Sequence, residues 1–382
     1  MEYRILGNTG LSVSVIALGC EGFVGKTEEQ VHSEMDFAIS KGINFIDMYT
    51  SNPDLRSNIG KALAERRQQF IIQGHLCTTW ENDQYLRTRD VEKTIASFED
   101  QLTRLHTDYL DIGMIHYVDS EEDFHEVFNG PIIRLALRLK EEGKIRHIGL
   151  SSHNPIVAKL AVESGLIEVL MFSINPCYDL QPPSENVDDL WADESYAHSL
   201  ENIDLEREKL YELCEQKGIG LDVMKAYGGG DLLSETNSPF GKAMTPVQCI
   251  EYALTRPAVA SVMVGCKSCD EMQAAINWCN ATKEEKDYTP IMAGMEKFSW
   301  QGHCMYCGHC APCSVGIDIA SVNKYYNLTI AQNEIPETVR EHYKTLSHHA
   351  SECIQCGQCE TNCPFGVAII EQMEKAAEKF GY

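Results

Sequence analysis

The chain has 382 residues, a formal net charge of −25 at pH 7 and an ordinary globular composition, 43% apolar and 8% aromatic. This negative charge repels nucleic acid and anionic lipid, so neither is expected as a partner. No apolar run approaches the ~18 residues of a membrane-spanning helix, and the first residues lack the apolar segment of a signal peptide. We therefore expect a cytoplasmic protein with neither a nucleic-acid nor a membrane partner.

Short apolar runs alternate with amphipathic segments through most of the chain. Eight runs predict strands, at 15–19, 44–48, 70–74, 109–115, 145–150, 168–173, 219–223 and 260–264. The helical patterns among them lie at 28–40, 88–105, 124–142, 205–216 and 246–254. Eight strands alternating with helices predict an α/β fold, a (β/α)8 TIM barrel. A doubly wound sheet is the alternative, but no Gly-x-Gly-x-x-Gly motif follows the first strand.

Five segments resemble, in the same order, motifs of the aldo-keto reductase family. They are 3–14 (YRILGNTGLSVS), 42–47 (GINFID), 108–116 (DYLDIGMIH), 143–149 (GKIRHIG) and 223–230 (VMKAYGGG). The last is similar to the seventh-strand segment of the subgroup that carries C-terminal ferredoxin domains. The resemblance implies an oxidoreductase barrel whose active site lies at the carboxyl ends of the strands.

The resemblance also implies a catalytic tetrad of Asp, Tyr, Lys and His, of which this chain keeps half. Asp47 and His116 stand at the matching positions. Asn52 stands where the family has its Tyr, and His75 stands where it has its Lys. In the family the Tyr protonates the carbonyl oxygen as hydride arrives, and such general-acid help is worth ~10²–10⁴-fold. Both the proton donor and the cation that lowers its pKa are therefore replaced.

Three interpretations of the altered tetrad stay open. Tyr49, two residues beyond Asp47 and so on the same strand face, is a candidate for a displaced acid. His75 and His116 are candidates to share the acid–base work, since histidine titrates near neutral pH. Alternatively, the barrel does not reduce carbonyls by ordinary hydride transfer. Each residue also has a purely structural alternative, with Tyr49 packing at the barrel mouth and His75 as a hydrogen-bonded structural residue.

The loops that hold nicotinamide in the family are partly kept. Ser151 and Ser152 stand at the place of the Ser-Asn pair that orients the amide, and Asn175 stands where a glutamine usually helps. Lys225 belongs to the seventh-strand segment, whose glycines would let the backbone approach a pyrophosphate.

A second part of the cofactor site is suggested further along the chain. Gly265 and Lys267 lie in a segment that resembles the start of the adenosine-phosphate site, where Lys267 would contact the 2′-phosphate of NADP(H). The Arg and Glu-Asn anchors expected downstream are absent. The resemblance therefore implies NADP(H) only as an optional cofactor.

Eight of the 16 cysteines fall within 60 residues near the end of the chain. In the absence of a secretion signal, clustered cysteines favour metal over disulfides. They form two groups, Cys304, Cys307, Cys310 and Cys313, and then Cys353, Cys356, Cys359 and Cys363. The second group has the spacing of bacterial two-cluster ferredoxins, whose fourth cysteine ligates the other cluster.

That spacing predicts two [4Fe–4S] clusters. One would be held by Cys304, Cys307, Cys310 and Cys363, and the other by Cys353, Cys356, Cys359 and Cys313. Two four-cysteine zinc sites are the alternative, although zinc sites seldom use three thiols at consecutive Cys-x2-Cys spacing. We divide the chain into a barrel over 1–295 and a small α-helical ferredoxin-like domain over 296–382, with helical patterns at 317–326 and 336–346. The latter resembles the ferredoxin modules of respiratory and anaerobic redox enzymes.

Three functions follow from these residues. The working hypothesis is an iron–sulfur oxidoreductase that acts on a small carbonyl- or alcohol-type substrate and exchanges electrons with its clusters. A ferredoxin- or flavodoxin-type carrier is then the expected protein partner. The alternatives are non-hydride lyase or isomerase chemistry, and an electron-relay protein with a degenerate barrel. The identity of the substrate and the oligomeric state stay open.

Overall fold

The computed structural model describes residues 1–185, 204–236, 238, 240–288, 291, 304, 310–330, 335, 340, 343–363 and 366–382. Its strands in chain order are β1 (Tyr3–Ile5), β2 (Ser12–Ser14), β3 (Ile16–Gly19), β4 (Phe45–Met48), β5 (Ile71–Leu76), β6 (Thr78–Glu81), β7 (Gln84–Arg87), β8 (Leu110–Ile115), β9 (Ile145–Ser152), β10 (Val169–Ser173), β11 (Gly220–Met224) and β12 (Val259–Val264). Its α-helices are α1 (Glu28–Ser40), α2 (Pro53–Leu63), α3 (Val91–Arg104), α4 (Glu121–Asn129), α5 (Pro131–Glu141), α6 (Pro155–Glu163), α7 (Pro176–Asp179), α8 (Leu205–Lys217), α9 (Pro246–Leu254), α10 (Cys269–Ile276), α11 (Lys283–Lys286), α12 (Ile319–Ile330), α13 (Gln358–Asn362) and α14 (Ile369–Phe380).

Eight of these strands form a closed parallel barrel. The order around it is β3, β4, β5, β8, β9, β10, β11 and β12, and β12 pairs with β3 to close the ring. All eight predicted strands are present, each with bounds within two residues of the prediction. The predicted barrel is confirmed. Strands β1 and β2 form a separate antiparallel hairpin, and so do β6 and β7.

Helix ends follow the capping residues. The predicted helices at 28–40 and 246–254 have those bounds in the structure, and each begins with a capping box, Thr27 with Gln30 and Thr245 with Gln248. The single helix predicted at 124–142 is wrong, because α4 and α5 are separated at Gly130. Pro131 starts α5, and a proline disfavours helical backbone in the residue before it.

The C-terminal helices pack on the barrel through a shared apolar core. From the C-terminal part this core contains Ile317, Val322 and Tyr343, whose ring stacks on Phe380 at 3.8 Å between centroids. The barrel contributes residues of the loops after β10 and β11 and of α9, namely Cys177, Tyr178, Leu232, Phe240, Met244 and Cys249. The ferredoxin-like part therefore sits against the carboxyl ends of those strands.

The predicted C-terminal helices are only partly within the described residues. The pattern at 317–326 corresponds to α12, whereas most of 336–346 and the predicted boundary at 295/296 lie outside the residues described. Helix α14 was not predicted, although Ile369, Met373, Ala376 and Phe380 form one buried face at helical spacing. None of the described helices is both long and apolar enough to cross a membrane.

Candidate active site

Three of the predicted catalytic residues meet at the carboxyl end of the barrel. Asp47 lies in β4, His75 in β5, and His116 directly after β8, with side chains almost fully buried. The His75 Nε2 atom is 3.0 Å from Asp47 Oδ1, and the two Nδ1 atoms of His75 and His116 are 2.7 Å apart. These strands are neighbours in the barrel, so the parallel register brings the three side chains into one hydrogen-bonded row.

A tyrosine that sequence reasoning missed extends this row. The β6–β7 hairpin follows β5 directly, and the hydroxyl of Tyr85 in β7 hydrogen-bonds to Nε2 of His116. A sequence signal for the hairpin was present. Two four-residue runs rich in Thr and aromatic residues flank Asn82-Asp83, both of which have positive φ (52° and 57°) in the two-residue turn.

The donors and acceptors along the row can be assigned from one end. An ionised Asp47 only accepts, so His75 donates to it through Nε2. A neutral His75 then accepts at Nδ1, which makes His116 the donor there and the acceptor at its own Nε2. Tyr85 consequently donates its hydroxyl proton to His116. Every hydrogen bond between Tyr85 and Asp47 therefore has one donor and one acceptor, and all of them point from Tyr85 toward Asp47.

Burial keeps two members of this row, His116 and Tyr85, neutral. Burial, with a further contribution from His75, holds the pKa of His116 well below its usual 6.5. Burial also raises the pKa of Tyr85 well above its usual 10. At neutral pH the imidazole of His116 is therefore uncharged and the Tyr85 phenol is protonated, which agrees with the assignment above.

The buried end of the row continues into the barrel interior. The Gln73 amide nitrogen donates to Asp47 Oδ1 at 3.0 Å and to Asp222 Oδ2 at 2.8 Å. Burial raises the pKa of Asp222 well above its usual value, which favours the protonated form of this carboxyl. Burial therefore disfavours a second negative charge beside Asp47 in this part of the barrel.

The other residues of the predicted acid–base site lie beside this row. The Tyr49 ring stacks on His116 at 5.9 Å between centroids and meets Tyr85 edge-on, while burial and Glu21, which it hydrogen-bonds, raise its pKa well above 10. Asn52, at the position of the family tyrosine, caps α2 by accepting from the Leu55 N–H at 2.8 Å. The side chain at this position is thus used to begin a helix.

The predicted nicotinamide contacts are mostly engaged by the protein itself. Ser152 donates to Asp119 at 3.1 Å. Asn175 accepts from two backbone N–H groups at the start of α7 and donates to the Lys225 carbonyl at 3.0 Å. Ser151 differs, because its buried hydroxyl has no hydrogen-bond partner within the described residues. Ser151 is thus the one of these three side chains whose polar group is not already engaged within the described residues.

The predicted adenosine-phosphate site is similarly occupied. The Lys267 backbone N–H donates to Glu271 at 2.8 Å, and its ammonium lies 5.9 Å from the centre of the Tyr325 ring in α12. Gly265 is exposed, and Lys225 has positive φ (62°) directly after β11. A carboxylate and the ferredoxin-like part thus stand at the predicted phosphate contact, which does not fit NADP(H) held in the family's manner.

Seven of the eight predicted cluster ligands fall among the described residues, and Cys307 lies outside them. Four of the seven, Cys313, Cys353, Cys356 and Cys359, line one small cavity together with apolar side chains that include Ile317 and Met373. This is the grouping predicted for the second cluster, with one cysteine from the first group and three from the second.

The donor set around this cavity fits a four-thiolate cluster. Ser314 lies 3.4 Å from the Cys356 sulfur, a hydrogen bond that lowers the pKa of this thiol and so favours the thiolate. In the described part of the chain no three His, Cys, Asp or Glu side chains are grouped to hold a metal ion. The four thiols therefore surround the cavity and do not converge on a position for a single metal ion.

The sequence matches two family profiles. The Aldo/keto reductase family profile covers residues 15–248, and the profile of a 4Fe-4S dicluster domain covers residues 300–367. Among curated relatives, "Uncharacterized oxidoreductase YqkF" of Bacillus subtilis is 28% identical over 304 residues, which is 75% of this chain and 94% of the relative. "Aldo-keto reductase YhdN" of the same organism is 30% identical over 161 residues, which is 40% of this chain and 47% of the relative.

A solved structure gives the same result for the fold. The holo form of aldo-keto reductase AKR11C1 from Bacillus halodurans superposes with a TM-score of 0.60 at 24% identity, over 79% of this chain and 99% of that chain. The altered tetrad is therefore set in a barrel of known ancestry. The chain belongs to the aldo/keto reductase family and carries a C-terminal 4Fe-4S dicluster domain.

Proposed function

We propose that this protein interconverts a small carbonyl compound and its alcohol at the carboxyl end of the barrel, with Tyr85 as the group that exchanges a proton with the substrate oxygen. The observation that carries the proposal is the unbroken hydrogen-bonded row from Asp47 through His75 and His116 to Tyr85. A half-buried tyrosine ends the row on the side of the barrel mouth, where substrates of this fold bind.

In its resting arrangement the row is set to take up a proton. As Tyr85 receives the proton of an alcohol, its own proton passes to Nε2 of His116. His116 passes its Nδ1 proton to His75, and His75 passes its Nε2 proton to Asp47. The charge that began on Asp47 is thus neutralised without leaving a charged imidazole in the buried row.

The reverse shift makes the row a proton donor. With Asp47 protonated, each imidazole has its proton on the other nitrogen, and Tyr85 is free to donate to a carbonyl oxygen while His116 donates to Tyr85. Reduction of the carbonyl to the alcohol takes two electrons and two protons. The row supplies one proton and solvent supplies the other. This arrangement replaces the missing Tyr–Lys pair of the family with a Tyr–His–His–Asp row.

We infer that the electrons come from an external one-electron carrier of the ferredoxin or flavodoxin class. The cysteines Cys304, Cys307, Cys310 and Cys363 would hold one [4Fe–4S] cluster, and Cys313, Cys353, Cys356 and Cys359 the other. When bound, such clusters supply single electrons at low potential. The contacts of Ser152, Asn175 and Lys267 argue against NADP(H) as the electron source, because each of these side chains is already engaged.

An anaerobic assay tests the proposal. Protein with both clusters is mixed with a panel of small aldehydes and ketones, using dithionite-reduced ferredoxin in one arm and NADPH in the other. We expect alcohol formation in the ferredoxin arm, at two oxidised ferredoxins per alcohol, and none in the NADPH arm. Turnover with NADPH would overturn the inference about the carrier and leave the role of Tyr85 standing.

The same assay separates the lyase or isomerase alternative. The acid–base row would also serve a proton shift within a carbonyl substrate. In that case product forms without any electron donor, and the ferredoxin remains reduced. Such a result would overturn the oxidoreductase proposal for this barrel.

A further inference from the structure

The β6–β7 hairpin touches a predicted cluster ligand as well as the acid–base row. The Gln84 side chain accepts from the Cys313 backbone N–H at 2.8 Å and donates to the Cys313 carbonyl at 3.0 Å. Two opposed hydrogen bonds fix both the position and the rotation of this peptide segment. Gln84 is buried, with 8% of its surface exposed, so water competes little for either bond.

The geometry of β7 places the contacts of Gln84 and Tyr85 on opposite faces of the strand. Consecutive residues of a β-strand point to opposite faces, so Gln84 and Tyr85 face in opposite directions. Gln84 reaches Cys313, and Tyr85 reaches His116. The short turn at Asn82-Asp83 and the four-pair register between β6 and β7 hold the hairpin in one alignment.

The contact reaches one of the two predicted cluster sites. Cys313 lines the cavity together with Cys353, Cys356 and Cys359. The neighbouring Ser314 contacts Cys356 across that cavity. A side chain that fixes the Cys313 backbone therefore sets one wall of the cavity relative to the barrel. Contacts of this kind around a ligand tune the potential of a bound cluster.

We propose that Gln84 is a positioning residue for one of the two clusters, the one held by Cys313, Cys353, Cys356 and Cys359. Through Gln84 and Tyr85, the hairpin connects this cluster to the acid–base row of the barrel. The inference rests on the proposed function only for the reason why one cluster should be connected to the barrel site. Its physical content is that a barrel residue controls the environment of one cluster and leaves the other unaffected.

Two substitutions at Gln84 test the proposal. Gln84→Met keeps the length of the side chain and removes both hydrogen bonds. Gln84→Glu keeps the bond from the Cys313 N–H and sets an oxygen against the Cys313 carbonyl. The matched control is Glu81→Gln, which faces Gln84 in the hairpin register and loses only its surface ion pair with Lys93. Iron and sulfide are measured first, to establish that both clusters are present.

The readout is low-temperature EPR of the reduced protein during a redox titration. The variants Cys313→Ser and Cys363→Ser assign each signal to one cluster. We expect both Gln84 variants to shift the midpoint potential and line shape of the Cys313-dependent signal. The Cys363-dependent signal and the Glu81→Gln control should be unchanged. If Gln84→Met loses iron, a selective shift in Gln84→Glu still supports the proposal.

Unchanged signals in Gln84→Glu and in an iron-replete Gln84→Met would overturn it, and so would a shift confined to the Cys363-dependent cluster. These outcomes are independent of the proposed reaction. A failure of Tyr85→Phe to alter turnover would overturn the function of the row, yet the EPR response of the Gln84 variants would still stand.

Discussion

The two sides of the barrel's carboxyl end have diverged in opposite ways. On the side of β4, β5 and β8, the family's Asp and His are kept, and new partners, His75 and Tyr85, extend them into a row that ends at the barrel mouth. On the side of β9, β10 and β11, two residues that resemble nicotinamide contacts are engaged by the protein itself: Ser152 donates to Asp119, and Asn175 donates to the Lys225 carbonyl. In the proposed function the first side transfers protons, whereas the contacts on the second side stabilise the fold.

Under the proposed function, the catalytic site of this chain is altered separately from the cofactor site of the family. The groups of the row lie at strand ends and in the hairpin that follows β5, and none of them belongs to β9, β10 or β11. On the other side, the ferredoxin-like part stands at the predicted phosphate contact, where the centre of the Tyr325 ring lies 5.9 Å from the Lys267 ammonium. Changing each side in turn should therefore affect different measurements.

The largest expected effect is a loss of kcat from a substitution on the side of β4, β5 and β8. Tyr85→Phe removes the hydroxyl that ends the row and keeps the ring packing against Tyr49. We expect kcat to fall by ~10²–10⁴-fold, the usual value of a positioned general acid. Steady-state kinetics with the ferredoxin donor measure the loss, and EPR of both clusters should be unchanged.

The matched control is Tyr49→Phe. Tyr49 stacks on the same imidazole but hydrogen-bonds to Glu21 instead of His116. A small loss of kcat in Tyr49→Phe, beside a large one in Tyr85→Phe, identifies Tyr85 as the acid. If the two losses were reversed, Tyr49 would be the displaced acid instead.

The second prediction concerns the side of β9, β10 and β11, whose contacts are expected to stabilise the fold. Asp119 is buried, which raises its pKa, but His153 and two further hydrogen bonds lower it more, to about 2. A carboxyl whose folded pKa is depressed stabilises the fold above its unfolded pKa near 4, and that stability is lost as the pH falls toward 2. At pH 7 we expect Asp119→Asn to lower the free energy of unfolding by about 2 kcal/mol, measured by anaerobic urea denaturation. An unchanged free energy of unfolding would contradict a structural role for this side.

Much of the barrel could be predicted because its signals are local. A buried parallel strand reads as a short apolar run, and each of the eight runs lies in a strand of the structure. Caps such as Thr27 with Gln30 mark helix ends within a few residues. The break at Gly130 was missed because the apolar periodicity continues across it and only the following proline marks the boundary.

The site was harder to predict because its key contacts join residues that are distant in sequence. Asp47, His75 and His116 were predicted from the resemblance to the family tetrad and from their positions at strand ends. Tyr85 was missed because it lies between the family motifs at 42–47 and 108–116, and Gln84 because its partner Cys313 is 229 residues away. The turn at Asn82-Asp83 predicts a hairpin but not what its two faces touch.

The third prediction uses the low pKa of His116. Burial holds this pKa well below 6.5 in the folded protein, so below pH 6.5 the unfolded chain binds a proton that the folded chain does not. Stability is therefore lost as the pH falls, by at most ~1.4 kcal/mol per pH unit from this group. His116→Gln should flatten the stability profile between pH 7.5 and 6, whereas substitution of the exposed His125 by Gln should leave its slope unchanged. An equal slope in all three proteins would show that His116 does not stay neutral in the fold.

The smallest expected effect is a difference in stability between variants of Asn175 and Ser151, both on the side of β9, β10 and β11. Asn175 accepts from the N–H groups of Cys177 and Tyr178 and so caps α7, whereas the buried Ser151 hydroxyl makes no hydrogen bond within the described residues. We expect Asn175→Ala to cost about 1 kcal/mol of stability and Ser151→Ala to change it by less than ~0.5 kcal/mol. Titration of both variants with NADPH separates this from a cofactor role. If Ser151→Ala leaves stability intact but abolishes a measurable NADPH affinity, then this side still binds nicotinamide, and the contrast between the two sides holds only for Asn175 and its neighbours.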